Sequence, residues 1–133
     1  MEVVRIADVA DLARARKVVA AMARGVLGSE RSDNLILAVS EIATNALHYA
    51  ATAGRPAVLT VQHLTAGLRV IVTDRGPGFT PPAGYTLPRP EDEGGRGLWL
   101  AHQMCDRLRI TSTSAGTTVV MDSYADKPGS AVS

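Results

Sequence analysis

At 133 residues, 46% of them apolar, the chain is long enough for one domain with a sizeable core and gives no reason to invoke a second. Its 14 Lys and Arg against 13 Asp and Glu leave a net charge of +1, which argues against a basic groove for nucleic acid and against attraction to an anionic membrane surface. The lone cysteine, Cys105, rules out an internal disulfide, and no Cys and His cluster has metal-ligand spacing. Residues Met1 to Asp11 set Glu2, Arg5, Asp8 and Asp11 among apolar neighbours, with no hydrophobic stretch of signal-peptide length. Even the apolar run from Leu35 to Ala51 is broken by Ser40, Glu41, Asn45 and His48, well short of the roughly 20 apolar residues of a membrane helix. A soluble cytoplasmic protein is expected.

From Asp8 to Leu27, Val9, Leu12, Ala13, Ala15, Val18, Val19, Met22 and Val26 recur at helical spacing, predicting an amphipathic helix that Gly28 ends. A second helix is expected from after Ser29 to about Ala50, with Leu35, Val39, Ile42, Ala46 and Leu47 as its apolar stripe and Gly54 and Pro56 closing it. Ala57 to Leu64 and Leu68 to Thr73 are β-branched runs parted by Thr65, Ala66 and Gly67, which reads as a hairpin. From Arg75 to Gly97 glycine and proline are so frequent that regular structure should largely fail. A long loop of this kind is a functional lid or a disordered segment. A short helix from Leu98 to about Cys105 then leads to a last hairpin, Arg107 to Thr113 and Thr117 to Ser123, turned near Ala115 and Gly116. Residues 1–125 form the expected domain, and 126–133 read as a frayed tail. These elements predict an α+β two-layer sandwich, with helices on one face of a mixed, mainly antiparallel sheet.

Four short patterns can carry chemistry. Glu41 and Asn45 lie four apart on the second helix, so a carboxylate and an amide share one face. Asn is a poor helix-interior residue and asks for a partner such as a ligated cation, although a plain surface pair has the same spacing. Asp74-Arg75-Gly76-Pro77-Gly78-Phe79 follows the apolar strand. There a carboxylate can accept from an exocyclic amine while Gly76 and Gly78 let a flat ring approach the backbone; an ordinary turn has the same composition. Gly94-Gly95-Arg96-Gly97-Leu98-Trp99 opens into a helix whose free amides and dipole favour phosphate, with a flexible linker as the competing reading. Gly116-Thr117 in the last hairpin offers a hydroxyl that can complete an adenine site beside Asp74, and is also common in hairpins generally. Each signal is weak alone; their joint order is what carries weight.

That order resembles the GHKL family, the ATP-binding fold shared by histidine-kinase catalytic domains, gyrase-type ATPases, a class of heat-shock chaperones and the anti-sigma-factor kinases. The resemblance spans nearly the whole chain. Val39-Ser40-Glu41-Ile42-Ala43-Thr44-Asn45-Ala46 is especially similar to the anti-sigma group. What it implies is that Asn45 coordinates Mg2+ bridging the ATP phosphates, and that Glu41 acts as general base on a serine hydroxyl or a water. It further implies that Asp74 receives the adenine amino group, with Gly76 and Gly78 in that pocket and Thr117 assisting. Gly95, Gly97 and Leu98 would surround the phosphates, Phe79 to Gly94 would form a lid, and Arg96 can offer a cation to the γ-phosphate.

Two functions of different class follow. One is a Mg-ATP-dependent serine kinase acting on an anti-sigma-factor antagonist. The other is a nucleotide-gated module that sequesters a sigma factor without catalysis, favoured by the run Glu91-Asp92-Glu93, whose charges would repel an anion beside the phosphate loop unless they point to solvent. A homodimer is expected by resemblance alone. His48, His63 and His102 lie in no phosphoacceptor motif and are read as structural, Trp99 and Leu100 as core or interface, and Cys105 as a small buried apolar residue.

Overall fold

In the computed structural model, which describes residues 1–75 and 96–125, the chain runs β1 (Glu2–Ile6), α1 (Val9–Arg24), α2 (Ser29–Ala53), β2 (Ala57–Leu64), β3 (Gly67–Asp74), α3 (Arg96–Met104), β4 (Arg107–Thr113) and β5 (Gly116–Tyr124). The expected tail, 126–133, lies outside the described residues. No helix among those described is long and apolar enough to cross a membrane.

Local chemistry sets the helix ends. Asp8 caps α1: its carboxylate accepts from the Asp11 N–H at 3.1 Å, while the Asp11 carboxylate accepts from the Asp8 and Ala7 N–H groups at 3.2 and 2.8 Å. Orphan amide donors of the first turn are thereby satisfied. The Ala7 amide bond is the main reason the Asp11 carboxyl titrates below its ordinary range. α2 ends where Gly54 turns left-handed at φ +68° and returns its N–H to Ala50, a conformation that side chains with a β-carbon resist. Leu12, Ala15, Val19 and Ala23 of α1 and Leu35, Val39, Ile42 and Ala46 of α2 are buried as the helical period requires, with Ala38, Ala43 and Ala50 completing the buried face of α2. Val9, counted in the expected stripe, is 74% exposed because it opens the first turn of α1.

The sheet has the order β1-β2-β3-β5-β4, and every neighbouring pair is antiparallel, as the mainly antiparallel sheet expected from the sequence requires. Strand alternation sends Val4, Ile6, Leu59, Val61, Val70, Val72, Val119 and Met121 to the helix-covered face, where they form the core with the three helices. Because β5 inserts between β3 and β4, the last residue of β3 lies beside the first residues of β5. The opposite face carries a fork: Arg69 Nε and Nη2 donate to the two Asp122 oxygens at 2.7 and 2.9 Å, from directly opposed positions on β3 and β5. That bond raises the guanidinium pKa further above its ordinary value. β1 was not expected from the sequence. Glu2–Ile6 lacks a clean alternation because Val3 and Val4 are adjacent, and its strand state comes from pairing with β2.

Candidate functional site

Glu41 and Asn45 sit in the middle of α2, one turn apart and half-buried. Their positions fall on the same flank of the helix as Asn34, and Asn34 faces α3 across a cavity. The expected juxtaposition of one carboxylate and one amide is therefore present on the α3 side of α2. Ser40, on the other flank, meets Arg16 of α1 at 3.5 Å.

Asp74 ends β3 on the core face and is only 6% exposed. Its partner across the sheet is Thr117, itself buried, so the two side chains emerge side by side from one face. The Thr117 hydroxyl lies 2.8 Å from the Ser112 hydroxyl on β4, and either oxygen can be the donor. A row of carboxylate and two hydroxyls thus crosses β3, β5 and β4 at one end of the sheet. Gly116 makes this possible: its φ is +144°, and a β-carbon there would lie 2.0 Å from the Asp74 carbonyl oxygen. Only glycine lets β5 begin so close to the end of β3.

Ser112 had no signal in the sequence. Hydroxyl residues abound in strands, and only the β4–β5 register identifies the one that faces Thr117. α3 begins at Arg96, with Gly97 in its first turn and Leu98 buried against the core. Gly76, Gly78 and Gly95 lie outside the described residues, as do Glu91, Asp92 and Glu93 and the segment Phe79 to Gly94. The structure thus brings together Asp74 with Thr117, and Glu41 with Asn45, on elements that pack into one helical layer over one sheet.

The remaining reactive groups have quieter settings. His48, His63 and His102 are all exposed rather than built into the core. Cys105 is half-buried, donates its thiol proton to the Ala101 carbonyl at 2.9 Å, and has its pKa pushed up to about 12 by burial. Such a thiol is a poor nucleophile at neutral pH. No group of three His, Cys, Asp or Glu able to hold a metal occurs among the described residues. The side-chain oxygen of Asn45 is a hard donor of the kind Mg2+ accepts together with phosphate and water oxygens. A single amide oxygen fits that hard cation.

A family model for the histidine kinase-like ATPase domain matches residues 6–122. No curated protein sequence matches the chain significantly. Among solved structures, the chain resembles the RsbU and RsbW domains of Rv1364c from Mycobacterium tuberculosis, at 17% identity and a TM-score of 0.66, over 93% of this chain and 32% of that one. It is also similar to the histidine kinase domain of the Erythrobacter litoralis EL346 blue-light activated histidine kinase, at 26% identity and a TM-score of 0.57, over 87% of this chain and 60% of that one. A second structure of that Erythrobacter kinase gives 27% identity and a TM-score of 0.58, over 87% of this chain and 41% of the other. The chain thus spans between a third and three-fifths of the length of these structures.

Proposed function

The chain belongs to the histidine kinase-like ATPase domain family, and we propose that it is a Mg-ATP-dependent protein serine kinase of the anti-sigma-factor type. The family implies ATP binding; the identity of the acceptor, an anti-sigma-factor antagonist, and of a sigma factor as second partner, is the finer part of the proposal. The observation that carries it is the buried Asp74 carboxylate beside the Thr117 hydroxyl at a sheet end, in a chain with Glu41 and Asn45 one turn apart on the adjacent helix layer.

Asp74 accepts from the adenine amino group, and Thr117, supported by Ser112, binds the same ring directly or through water. Gly76 and Gly78 would let the ring approach the backbone in that pocket. The start of α3, with Gly97 and Leu98 and the preceding Gly95, would offer its amides to the phosphates, and Arg96 would offset charge on the γ-phosphate. Asn45 would supply one oxygen to Mg2+, and the ion, when bound, would offset phosphate charge. Glu41 accepts the proton of the acceptor serine as its oxygen bonds to the γ-phosphorus and the bond to the β-phosphate oxygen breaks, leaving ADP. A homodimer is part of the same reading.

The test is calorimetric titration of Mg-ATP and Mg-ADP into the purified chain, followed by transfer of labelled phosphate to a candidate antagonist. Binding by wild type, and loss of transfer in Glu41→Ala with binding kept, is the expected result. Absence of adenine-nucleotide binding in magnesium would end the proposal, and unchanged transfer in Glu41→Ala would remove that residue as base.

A further inference from the structure

Asp106, just past the end of α3, ties three elements together. Its carboxylate oxygens accept from Arg31 Nη1, in the first turn of α2, at 3.0 and 2.9 Å, and Oδ2 also accepts from the Tyr124 N–H of β5 at 2.7 Å. Its own N–H donates to the Asp122 carbonyl at 2.9 Å. The Asp106 side chain is 7% exposed and that of Arg31 28%, so solvent and salt screen the pair less than a surface bridge. The N–H and the thiol of Cys105 both donate to the Ala101 carbonyl, at 3.1 and 2.9 Å, which joins the last turn of α3 firmly to Asp106.

This joint sits at the end of α3 remote from the proposed phosphates, yet it governs where the other end falls. α3 packs along α2. Its end meets the start of α2, and Asn34 and Gln103, each a little further into its own helix, line one cavity. The two helices therefore run antiparallel. Equal lengths of chain, about ten residues, lead from Arg31 to Glu41 along α2 and from Asp106 back to Arg96 along α3. The start of α3 is thereby brought level with Glu41. Leu98 and Ala101 bury the inner side of α3, but apolar contact is non-directional and does not fix the height of a short helix. A charged hydrogen-bonded pair is directional and does.

We propose that Arg31 and Asp106 are positioning residues for the nucleotide phosphates: by holding the end of α3 to both layers, they set the amides of Gly97 and Leu98 at the height of Glu41 and Asn45. Amide-to-phosphate bonds tolerate only a few tenths of an ångström, so a slide of α3 costs phosphate affinity and leaves the adenine end of the ligand untouched. The inference rests on the nucleotide reading for its ligand.

The probes are Mg-ATP, followed by calorimetry, and adenosine, which lacks phosphates, followed by NMR titration. Arg31→Gln and Asp106→Asn should each weaken Mg-ATP about tenfold and adenosine less than about twofold. The double variant should be no weaker than the worse single one, because the two side chains act as a unit. One nitrogen makes both bonds to Asp106, so the ammonium of Arg31→Lys should recover most of the Mg-ATP affinity. Retained adenosine binding shows that each variant is folded. Should the amide variants not fold, Asp106→Glu keeps the charge and lengthens the link by one methylene, and it should still weaken Mg-ATP selectively. Equal losses for both ligands, or wild-type Mg-ATP affinity in all these variants, overturn the inference and leave the nucleotide reading standing. Wild-type protein that binds neither ligand ends both. Selective loss of Mg-ATP with rescue by Arg31→Lys upholds both.

Discussion

The main-chain oxygen of Asp74 stands 2.0 Å from the place a β-carbon on Gly116 would occupy. Two strands that are not consecutive in the chain are thus joined at the residue whose carboxylate faces the proposed purine pocket. Gly116→Ala meets both a backbone clash and a φ of +144°, so it should cost about 3 kcal/mol and lower the melting temperature by on the order of 10 °C. Nucleotide binding should fall with it. Thermal unfolding and calorimetry check both, and a variant with wild-type values would show that β5 can shift without harm.

Asp74→Asn keeps the size of the side chain but replaces one acceptor oxygen with a donor. Mg-ATP affinity should drop about 10- to 100-fold, the range for a charged hydrogen bond replaced by a mismatched one. Circular dichroism should be unchanged. Retained affinity would assign the adenine amino group elsewhere.

On the other face of the sheet, Arg69→Ala strands the fully buried Asp122 carboxylate, leaving Arg109, 3.9 Å away, as its remaining cation among the described residues. Loss of a buried partner costs about 3–5 kcal/mol, and partial exposure of Arg69 reduces the expectation to about 2 kcal/mol. Replacing both members by methionine and leucine should restore most of it. Urea midpoints of the two variants decide this.

Cys105, with its thiol pushed up to about 12, should react with a disulfide reagent at pH 8 far more slowly in the native protein than in guanidinium. Equal rates would mean the site opens readily.

The Asp11 carboxyl titrates below its ordinary value of 3.8 in the folded protein. A lowered folded pKa stabilises above the unfolded pKa and is lost as pH falls through the folded one. Asp11→Asn should therefore lose stability relative to wild type above about pH 4, with the difference closing in stronger acid. Asp8→Ala, which removes the other half of the cap, should cost about 1 kcal/mol at neutral pH. Chemical denaturation across pH tests both.

The elements whose physics is local are legible in the sequence. The two long helices follow from the spacing of Leu12, Val19, Leu35, Val39 and Ile42, and both hairpins from β-branched runs around Ala66 and Gly116. β1 escaped because its strand state exists only through β2. In the site, the Glu41–Asn45 spacing is a property of any helix and was legible at once. Motif order points to Asp74 and Thr117 as neighbours, but their geometry depends on β5 inserting beside β3, which no local pattern encodes. Ser112 and the Arg31–Asp106 pair depend on register and on contacts 75 residues apart, so neither could be seen in sequence.

The oxygens of Ser112 and Thr117 can exchange the roles of donor and acceptor by rotating two hydroxyl hydrogens. Such a couple imposes no polarity of its own on a base set against it. In the proposed pocket, then, discrimination between a purine bearing an amine and one bearing a carbonyl falls to the carboxylate of Asp74, which accepts only, and ITP competing equally with ATP would show that the burden lies elsewhere.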